Sequence, residues 1–348
     1  MTSTLPTATP QVHEEPPPVR MVQLLAGFQV SQALYCVAEL GVSTRLLEGP
    51  RTVAELADAI GAHPPALRRL LRDLAGLGLF TAAGPDTWAL TPLGATLAEG
   101  TPGSVRDLAL TWMDTHYAPF GRLLDTVRDG VPAATLHYGR PYFEWLSGDP
   151  AQVQRFTGAM ADLTAGVKAG AVAGYTVPGG GTIADLGGAD GTLLHAVLAG
   201  DPDPERRGIV FDLPHVVPAA RERLAGSGLE DRVDVVAGNF FERVPAADAY
   251  LLSMILHDWD DEACGVLLRR IAEAASPGAR LVSLELVVPP GDAAHLATMI
   301  DLTMLGMLTG RERTADELAA LLDGAGFTLD RIVPTRTPMS VVEATLRR

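Results

Sequence analysis

The stretch 182–191, TIADLGGADG, decides the fold, because a short apolar strand runs there into a glycine-rich turn. A helical pattern begins at Thr192, and four more apolar strands follow it: GIVFDL, VDVVAG, AYLLSMIL and RLVSLELVV. Helical segments from Val216 and Glu262 lie between some of these strands. Such alternation predicts an α/β fold with a mostly parallel, doubly wound sheet and helices on both faces. Ligands bind such sheets at the carboxyl ends of the strands.

This Rossmann-like domain is predicted to span residues 179–348. It starts after Pro178, where a run of glycines interrupts the preceding helical pattern. Near its end, the segments FTLDRIVPT and MSVVEATL are separated only by RTP. We therefore expect them to form a closing antiparallel pair at the sheet edge.

The amino-terminal region contains a tail and a long apolar face. Residues 1–18 are Pro-rich and lack the basic start and apolar core of a signal peptide, so we place them outside the fold. Between Met21 and Leu47, apolar residues recur at helical spacing and cover more surface than one small domain can bury. We therefore expect a homodimer in which the partner covers this face.

The segment 52–91 has the order helix, turn, helix and strand pair, which predicts a winged helix within a mainly helical dimerisation domain at 19–103. A winged helix can bind DNA, here through Arg68, Arg69 and Arg72, or can serve only packing and dimerisation. The chain carries 27 basic against 42 acidic residues, a net charge of -15. That charge repels nucleic acid and anionic membranes, so we favour dimerisation and expect neither as a partner.

The composition limits the class of protein further. The 348 residues are 47% hydrophobic and 20% charged, which is typical of a folded chain with a substantial core. No apolar run approaches the roughly 20 residues that a membrane helix needs. Cys36 and Cys264 are the only cysteines, so neither a disulfide framework nor a thiolate metal site is encoded. We expect a cytoplasmic protein without a metal.

The segment 104–178 is predicted to be a helical linker that is rich in rings. Rings between two domains either pack one domain against the other or line a substrate pocket between them. The sequence leaves both roles open for each ring. The side chains in question are Trp112, His116, Tyr117, Phe120, Tyr138, Tyr142, Phe143, Trp145 and Phe156.

Polar groups accompany three successive strands of the predicted sheet. Asp185 precedes the glycine turn, where a carboxylate repels phosphate and suits an ammonium-bearing ligand. Asp212 ends the next strand and can accept hydrogen bonds from both hydroxyls of a ribose. Asn239 and Phe240 follow the third strand, and an amide beside a ring suits an adenine edge. Any one acid could be a helix cap, but the three positions together predict a nucleoside site.

The motifs DLGGADG, FDLP, GNFFE, LLSMILHDWDDE and RERTADEL closely resemble those of S-adenosylmethionine-dependent small-molecule O-methyltransferases, both plant phenolic and bacterial secondary-metabolite types. The resemblance extends to the winged helix and covers nearly the whole chain outside the tail. It implies S-adenosylmethionine as the cofactor, S-adenosylhomocysteine as the product and a small hydroxylated aromatic compound as the methyl acceptor.

The resemblance also implies which residues form the site. Three positions depart from the usual family pattern: Ala189 replaces a glycine, Asn239 an aspartate, and Ser253 a lysine common in plant members. The predicted cofactor-binding residues are Thr164, Asp185, Gly187, Gly188, Gly191, Asp212, Leu213, Asn239, Phe240, Ser253 and Trp259. The predicted substrate-binding residues are Trp112, His116, Phe156, Met160 and Met304.

Methyl transfer to oxygen requires an acceptor hydroxyl that has lost its proton. A phenol has a pKa of about 10, so a general base can accelerate its methylation by roughly 10²- to 10⁴-fold. His257, in SMILHDWDDE, follows a predicted strand and precedes a helix, and imidazole titrates nearest to neutral pH. A lone histidine is more often structural. Its place in the HDW motif nevertheless predicts that His257 is the base.

Such a base needs a group that orients its second ring nitrogen. Glu285 is the only charged residue inside the apolar run LVSLELVV, so we expect it to be buried and paired with His257. Glu312, in RERT, resembles the family's second acid near the base; alternatively, it forms an ion pair with a neighbouring arginine. Asp258 either helps to hold the acceptor or caps the following helix.

Three functions are consistent with these residues. The first is an O-methyltransferase for an aromatic, polyketide-derived hydroxyl, with His257 as the base. The second keeps the fold and cofactor but has drifted to hydroxylation or decarboxylation, as in some relatives of this family, and the intact His257 disfavours it. The third is a ligand-responsive DNA-binding regulator, which the acidic charge and the HDW motif disfavour.

Overall fold

The computed structural model describes residues 15–163 and 168–347, and its amino-terminal part is mainly helical. The elements there are α1 (Pro17–Leu25), α2 (Gly27–Glu39), α3 (Val42–Leu46), β1 (Arg51–Thr52), α4 (Val53–Ile60), α5 (Pro64–Gly76), β2 (Phe80–Gly84), β3 (Thr87–Leu90) and α6 (Pro92–Ala95). The three strands form an antiparallel sheet in the order β1-β3-β2. The winged helix is confirmed.

Local interactions explain where the first helix of the winged helix begins. The Thr52 side chain accepts a hydrogen bond from the Glu55 backbone N–H at 3.2 Å, and the Glu55 carboxylate accepts one from the Thr52 N–H at 2.8 Å. This capping box satisfies two backbone donors that the helix itself cannot.

On α5, the Arg68 guanidinium donates to both oxygens of Asp86, at 2.6 Å each, so its charge is paired within the domain.

The apolar stretch 21–47 forms parts of three helices rather than one. α1 ends at Leu25, and Gly41, with a φ of 67°, separates α2 from α3. Met21 and Phe28 remain 55% and 56% exposed, so the face that we expect a partner to cover is uncovered in the single chain. No single described helix is long and apolar enough to span a membrane, although α1 and α2, bent by 42°, pass that test as a pair on length and composition alone.

A run of short helices connects the two domains. They are α7 (Arg106–Thr115), α8 (Tyr117–Phe120), α9 (Leu123–Asp129), α10 (Ala133–Tyr138), α11 (Tyr142–Leu146), α12 (Pro150–Leu163) and α13 (Ala169–Val172). α12 packs along α7, and α7 packs on α2. α8, α9 and α10 pack on α17 (Leu296–Met307) of the carboxy-terminal domain, so the linker contacts both domains.

The carboxy-terminal domain is the predicted α/β domain. Its elements are β4 (Thr182–Leu186), α14 (Thr192–Ala199), β5 (Arg207–Asp212), α15 (Val217–Leu224), β6 (Val233–Ala237), β7 (Ala249–Ser253), a 3₁₀ turn (Leu256–Asp258), α16 (Asp261–Ala274), β8 (Arg280–Glu285), α17 (Leu296–Met307), α18 (Ala315–Gly324), β9 (Phe327–Pro334) and β10 (Ser340–Leu346). α14 and α17 pack on one face of the sheet, and α16 and α18 pack on the other.

The strand order of the seven-stranded sheet is β6-β5-β4-β7-β8-β10-β9. The first five of these strands are parallel, and β10 pairs antiparallel with both β8 and β9. The predicted closing antiparallel pair is confirmed. The chain proceeds outward from β4 to β6 and then returns to β7 on the other side of β4. This reversal opens a crevice at the carboxyl ends of β4 and β7, where such sheets bind ligands.

Two strands end earlier than their apolar runs predict. β7 stops at Ser253, because Met254 adopts a positive φ of 55° and turns the chain into the 3₁₀ turn at 256–258. Leu256, only 1% exposed, packs in the core from that turn. β8 stops at Glu285. Apolar residues beyond both strands are buried by the turns that follow, so apolarity alone overstates the strand lengths.

Candidate active site

The glycine turn between β4 and α14 brings the backbone close to the sheet edge. Gly187 and Gly191 have φ values of 71° and 78°, and Ala189 also has a positive φ, 50°. At Gly188, a Cβ would lie 2.8 Å from the Asp185 carboxylate. The turn therefore depends on glycine at 188 for space, whereas Ala189 adopts a conformation that side chains disfavour.

Asp212 connects the end of β5 to this turn. Its carboxylate accepts hydrogen bonds from the backbone N–H of Ala189 at 2.9 Å and from that of Leu213 at 2.7 Å. An ionised carboxylate has about four lone-pair sites, so two remain available to hydroxyls of a ligand. Burial raises the pKa of Asp212, and the two backbone donors oppose that rise. Leu213 is 40% exposed at the rim.

Asn239, Phe240 and Trp259 lie beside the same edge. Asn239 accepts a hydrogen bond from the Phe241 backbone N–H at 3.0 Å, so its amide oxygen already stabilises its own loop. The rings of Phe240 and Trp259 meet edge to face, with centroids 6.3 Å apart. Two aromatic side chains and an amide are thus grouped next to the crevice.

Three buried polar atoms at this edge have no hydrogen-bond partner among the described residues. They are Oδ2 of Asp185, Oγ of Ser253 and Nε1 of Trp259. Burying such groups unpaired is costly, and each unpaired one in a native structure calls for an explanation. A ligand with an ammonium group and hydroxyls would satisfy the carboxylate and the serine. The donor set therefore fits the amino-acid and nucleoside parts of S-adenosylmethionine.

His257 is buried at the end of β7, and its Nδ1 lies 2.7 Å from Oε1 of Glu312. We expected Glu285 as its partner, and that expectation is wrong. Glu285 instead accepts a short hydrogen bond from the Ser283 hydroxyl. Glu312 lies in the loop before α18, and this loop brings its carboxylate to the imidazole.

The arginines next to Glu312 have other partners. Arg311 and Arg313 both bind Asp261, at 2.9 and 2.8 Å, so the alternative ion pair for Glu312 is not formed. Arg313 also donates to the carbonyl oxygens of Leu256 at 2.7 Å and Trp259 at 2.8 Å. The segment that supplies Glu312 therefore also holds both ends of the turn that carries His257.

Asp258 lies beside the other nitrogen of the imidazole. Its Oδ1 is 3.3 Å from Nε2 of His257. The alternative role of Asp258 as a helix cap is wrong, because Asp260 caps α16 by accepting from the Ala263 N–H at 2.9 Å. His257 is thus held between two carboxylates.

Burial raises the pKa values of four acids around the crevice: to about 6 for Asp258, about 7 for Asp185 and Glu285, and about 8 for Glu312.

Sequence reasoning missed a cation near these acids. Burial lowers the pKa of Lys168, while the nearby charges of Asp185, Asp258 and Glu285 oppose that change. The signal available in the sequence was that Lys168 is the only lysine of the chain.

Rings of the linker line one side of the site. Phe143 lies 6.0 Å from Trp259 and 6.1 Å from Phe156, measured between ring centroids. Tyr142 lies 6.3 Å from Phe156 and 5.3 Å from His116. These contacts make a continuous aromatic wall from the residue after Asp258 to α7. Among these linker rings, Phe143 contacts Trp259 of the active-site turn directly.

Of the other predicted substrate-binding residues, Trp112 contacts this wall. Trp112 is 6.1 Å from His116, and Met160 is partly buried on α12. Met304 is 7% exposed on α17, and Met307 of the same helix belongs to the cluster that includes Tyr142. Thr164, which we expected near the cofactor carboxylate, lies outside the described residues.

Comparison with known proteins decides the family. A family model described as an O-methyltransferase domain matches residues 120–328, and an O-methyltransferase dimerisation domain matches residues 22–100. The chain is 39% identical over 325 residues to phenazine O-methyltransferase PhzM of Lysobacter antibioticus, covering 93% of this chain and 95% of the relative. The chain belongs to the S-adenosylmethionine-dependent O-methyltransferases. The predicted homodimer of this methyltransferase is supported by the dimerisation domain.

Two further relatives of the methyltransferase inform its chemistry. O-methyltransferase NcsB1 from neocarzinostatin biosynthesis, crystallised with S-adenosylmethionine and 2-hydroxy-5-methyl naphthoic acid, superposes with a TM-score of 0.78 at 35% identity, covering 97% of this chain and 100% of that one. Aclacinomycin 10-hydroxylase RdmB of Streptomyces purpurascens is 37% identical over 323 residues, 89% of this chain and 84% of the relative. The predicted cofactor, S-adenosylmethionine, is confirmed.

The buried acids predict how the stability of the methyltransferase depends on pH. A carboxyl whose folded-state pKa is raised binds a proton more tightly in the folded than in the unfolded state. This stability is fully present below the ordinary carboxyl pKa of about 4. It is lost as the pH rises from there through the folded-state pKa values of Asp258, Asp185, Glu285 and Glu312, about 6 to 8, and the loss levels off above them. In calorimetric scans we expect Tm to fall over this range. The double variant Asp185→Asn, Glu312→Gln should flatten the decline, and a parent Tm that rises instead contradicts the account.

Proposed function

We propose that the methyltransferase methylates a hydroxyl of an aromatic, polyketide-derived intermediate, with His257 as the general base. The observation that carries the proposal is the 2.7 Å hydrogen bond between Nδ1 of His257 and the buried Glu312. A general base needs an orienting partner of this kind. His257 of this pair lies in the 3₁₀ turn after β7, at the crevice beside the glycine turn.

The proton of the acceptor hydroxyl moves to Nε2 of His257. For this transfer, Nδ1 must carry a proton and donate it to the Glu312 carboxylate, which leaves the lone pair on Nε2. The carboxylate then stabilises the imidazolium that forms, as the acid of a catalytic triad does. Asp258, 3.3 Å from Nε2, adds a second negative charge beside the protonated ring. We propose that Glu285 acts on the reaction indirectly, through the negative charge of its buried carboxylate.

We assign the cofactor to the edge formed by the ends of β4, β5 and β6. When bound, S-adenosylmethionine supplies a methyl group on a positively charged sulfur. The unpaired Oδ2 of Asp185 suits its ammonium group, and the free lone pairs of Asp212 suit the ribose hydroxyls. Phe240 and Trp259, whose rings meet edge to face, suit an apolar surface beside the adenine. The further residues that we assign to this site are Gly187, Gly188, Gly191, Leu213, Asn239 and Ser253.

The acceptor is proposed to be aromatic because rings line its side of the crevice. Phe143 contacts both Phe156 and Trp259 along the wall, with ring centroids 6.1 and 6.0 Å apart. Flat apolar surfaces of this kind bind aromatic ligands by stacking and edge contacts. NcsB1, which was crystallised with a naphthoic acid, supports the same substrate class.

The proposal is tested by incubating the enzyme with S-adenosylmethionine that carries an isotope-labelled methyl group. Hydroxylated naphthoic acids and an extract of the producing organism serve as acceptors, and mass spectrometry detects products that are one labelled methyl group heavier. We expect an O-methylated aromatic product. Label transfer only to amines or to no aromatic hydroxyl in either source contradicts the proposal.

Hydroxylation is the second candidate, since the chain is 37% identical to a relative named as a hydroxylase. The hydrogen-bonded His257–Glu312 pair favours proton removal from an acceptor and therefore methyl transfer. Incubation under labelled oxygen gas separates the two reactions. Labelled oxygen in the product would show hydroxylation.

We also propose that the enzyme works in the cytoplasm, with neither nucleic acid nor membrane as a partner. Arg68, which could have contacted DNA, is paired with Asp86, and the net charge of -15 opposes binding to phosphate. A gel shift with random DNA at low salt should show no complex. A salt-sensitive complex would restore the DNA-binding interpretation.

Replacing Asp212 with alanine should weaken S-adenosylmethionine binding by about 1.5 to 3 kcal/mol, the range for hydrogen bonds to a charged group. Isothermal calorimetry measures the loss. Asp234→Ala is the matched control, because Asp234 is an exposed acid on the neighbouring strand β6. Unchanged affinity in a folded Asp212 variant removes this residue from the site.

A further inference from the structure

Thr115 lies at the centre of a buried polar cluster within the aromatic wall. Its Oγ1 lies 2.7 Å from the Thr111 carbonyl oxygen, 3.1 Å from the Tyr142 hydroxyl and 2.7 Å from Nδ1 of His116. The Tyr138 hydroxyl donates to the Thr115 carbonyl at 2.8 Å. An aromatic wall that only stacks against flat apolar ligands needs no buried hydrogen-bonding groups. The presence of this cluster therefore needs another reason.

The protons in the cluster can be assigned by counting. Each of the three short contacts of the Thr115 hydroxyl needs one proton, because two lone pairs at such distances repel. The Thr115 and Tyr142 hydroxyls supply one proton each. The third must come from Nδ1 of His116. A hydroxyl oxygen can accept two hydrogen bonds while donating one, so this assignment satisfies it fully.

The same assignment fixes the other nitrogen of His116. A neutral imidazole has only one N–H, so Nε2 carries a bare lone pair and can only accept a hydrogen bond. Burial lowers the pKa of His116 to about 3, which keeps the ring neutral at physiological pH. Among residues 15–163 and 168–347, no hydrogen bond engages Nε2. The ring nevertheless stays partly exposed.

The position of His116 connects this acceptor to the reaction site. His116 contacts Tyr142, which contacts Phe143, which contacts Trp259, with ring centroids 5.3, 5.5 and 6.0 Å apart. Trp259 follows Asp258 directly. An aromatic ligand whose hydroxyl faces His257 can thus lie along the wall with its far end towards His116.

We propose that Nε2 of His116 accepts a hydrogen bond from a second donor of the substrate, a hydroxyl or N–H group away from the hydroxyl that is methylated. The substrate is then an aromatic compound with at least two donors, of which His257 deprotonates one and His116 binds the other. The methylated hydroxyl rests on the proposed function, whereas the proton assignment of His116 does not. A bound analogue that covers the ring but offers no donor leaves this acceptor unpaired, which disfavours analogues that lack the donor.

The proton assignment is tested directly by NMR of the full-length enzyme with nitrogen-15 in its histidines and S-adenosylhomocysteine bound. The His116 signals are identified by their loss in His116→Gln. We expect a protonated Nδ1 and an unprotonated Nε2. Dihydroxynaphthalenes with hydroxyls on opposite rings should shift the Nε2 signal, and the matching naphthols should not. A proton on Nε2 overturns the inference. So does a Nε2 signal that no probe shifts, or one that dihydroxynaphthalenes and naphthols shift equally.

Kinetics with the same probes test the consequence for specificity. The parent enzyme should prefer dihydroxynaphthalenes over naphthols in kcat/KM, and His116→Phe should reduce this preference by about 3- to 10-fold, the value of one neutral hydrogen bond. His116→Gln should retain part of it, because an amide oxygen can accept. His63→Phe, the same replacement at an exposed histidine of the winged helix, is the control and should keep the preference. An unchanged preference in His116→Phe contradicts the inference.

These results also separate the inference from the proposed function. If neither the probes nor the extract of the producing organism yields an O-methylated aromatic product while dihydroxynaphthalenes shift the His116 signal, aromatic O-methylation is wrong and the donor site at His116 stands. If the parent methylates both probe types equally, the proposed function stands and the role of His116 is wrong.

Discussion

Replacing His257 with alanine should slow methyl transfer by about 10²- to 10⁴-fold at pH 7, the usual contribution of a general base. The imidazole acts on the acceptor and not on the cofactor, so the affinity for S-adenosylmethionine should stay nearly the same. Single-turnover rates measure the chemical step, and calorimetry measures the affinity. His63→Ala is the control, because His63 is exposed in the winged helix and should leave both quantities unchanged.

A loss of cofactor affinity as large as the loss of rate would show that His257 acts by supporting the cofactor site. Such an effect would pass through Trp259, which follows His257 by two residues and lies beside Phe240 at the proposed adenine site. The ratio of the two losses therefore separates deprotonation of the acceptor from maintenance of the site.

Glu312→Gln should give the second-largest effect, a decrease in rate of about 10- to 10²-fold. A hydrogen bond to a charged group contributes about 1.5 to 3 kcal/mol, and each 1.4 kcal/mol corresponds to a tenfold change in rate. Burial raises the pKa of Glu312 to about 8, and only its ionised form leaves the lone pair on Nε2 of His257. The parent rate should therefore rise as the pH passes through about 8, and Glu312→Gln should lose that rise.

Glu285→Gln is the matched control for this prediction. Glu285 is equally buried but accepts its hydrogen bond from Ser283 and none from His257. Its replacement should lower the rate less than Glu312→Gln does and keep the rise near pH 8. If Glu285→Gln has the larger effect, the pairing first expected from the sequence is correct in solution.

The contrast between the two glutamates shows where sequence reasoning reaches its limit. The sequence identifies His257 from its motif and shows that a buried acid needs a partner. It does not show which acid reaches Nδ1, because that contact joins residues 55 positions apart. The topology of the sheet follows from local patterns, whereas the partner of the imidazole follows from how two loops meet.

Lys168 and Asp258 illustrate the same limit. Lys168 lies near four acids, yet nothing in its neighbouring residues, AGVKAG, indicates a charged site. Asp258 and Asp260 are both plausible caps for α16 by type, and only the geometry assigns that role to Asp260. The glycine turn, in contrast, is predictable because the positive φ of Gly187 and Gly191 is a local requirement.

The central claim, that His257 removes the acceptor proton, is tested most directly by comparing the parent and His257→Ala at about pH 7 and about pH 10. Above the pKa of a phenol, about 10, the phenolate forms without help, and a base no longer accelerates the reaction. The account predicts that the rate defect of the variant shrinks and that the two rates converge as the pH rises. A defect of the same size at both pH values would contradict it and would show that His257 positions the acceptor without deprotonating it.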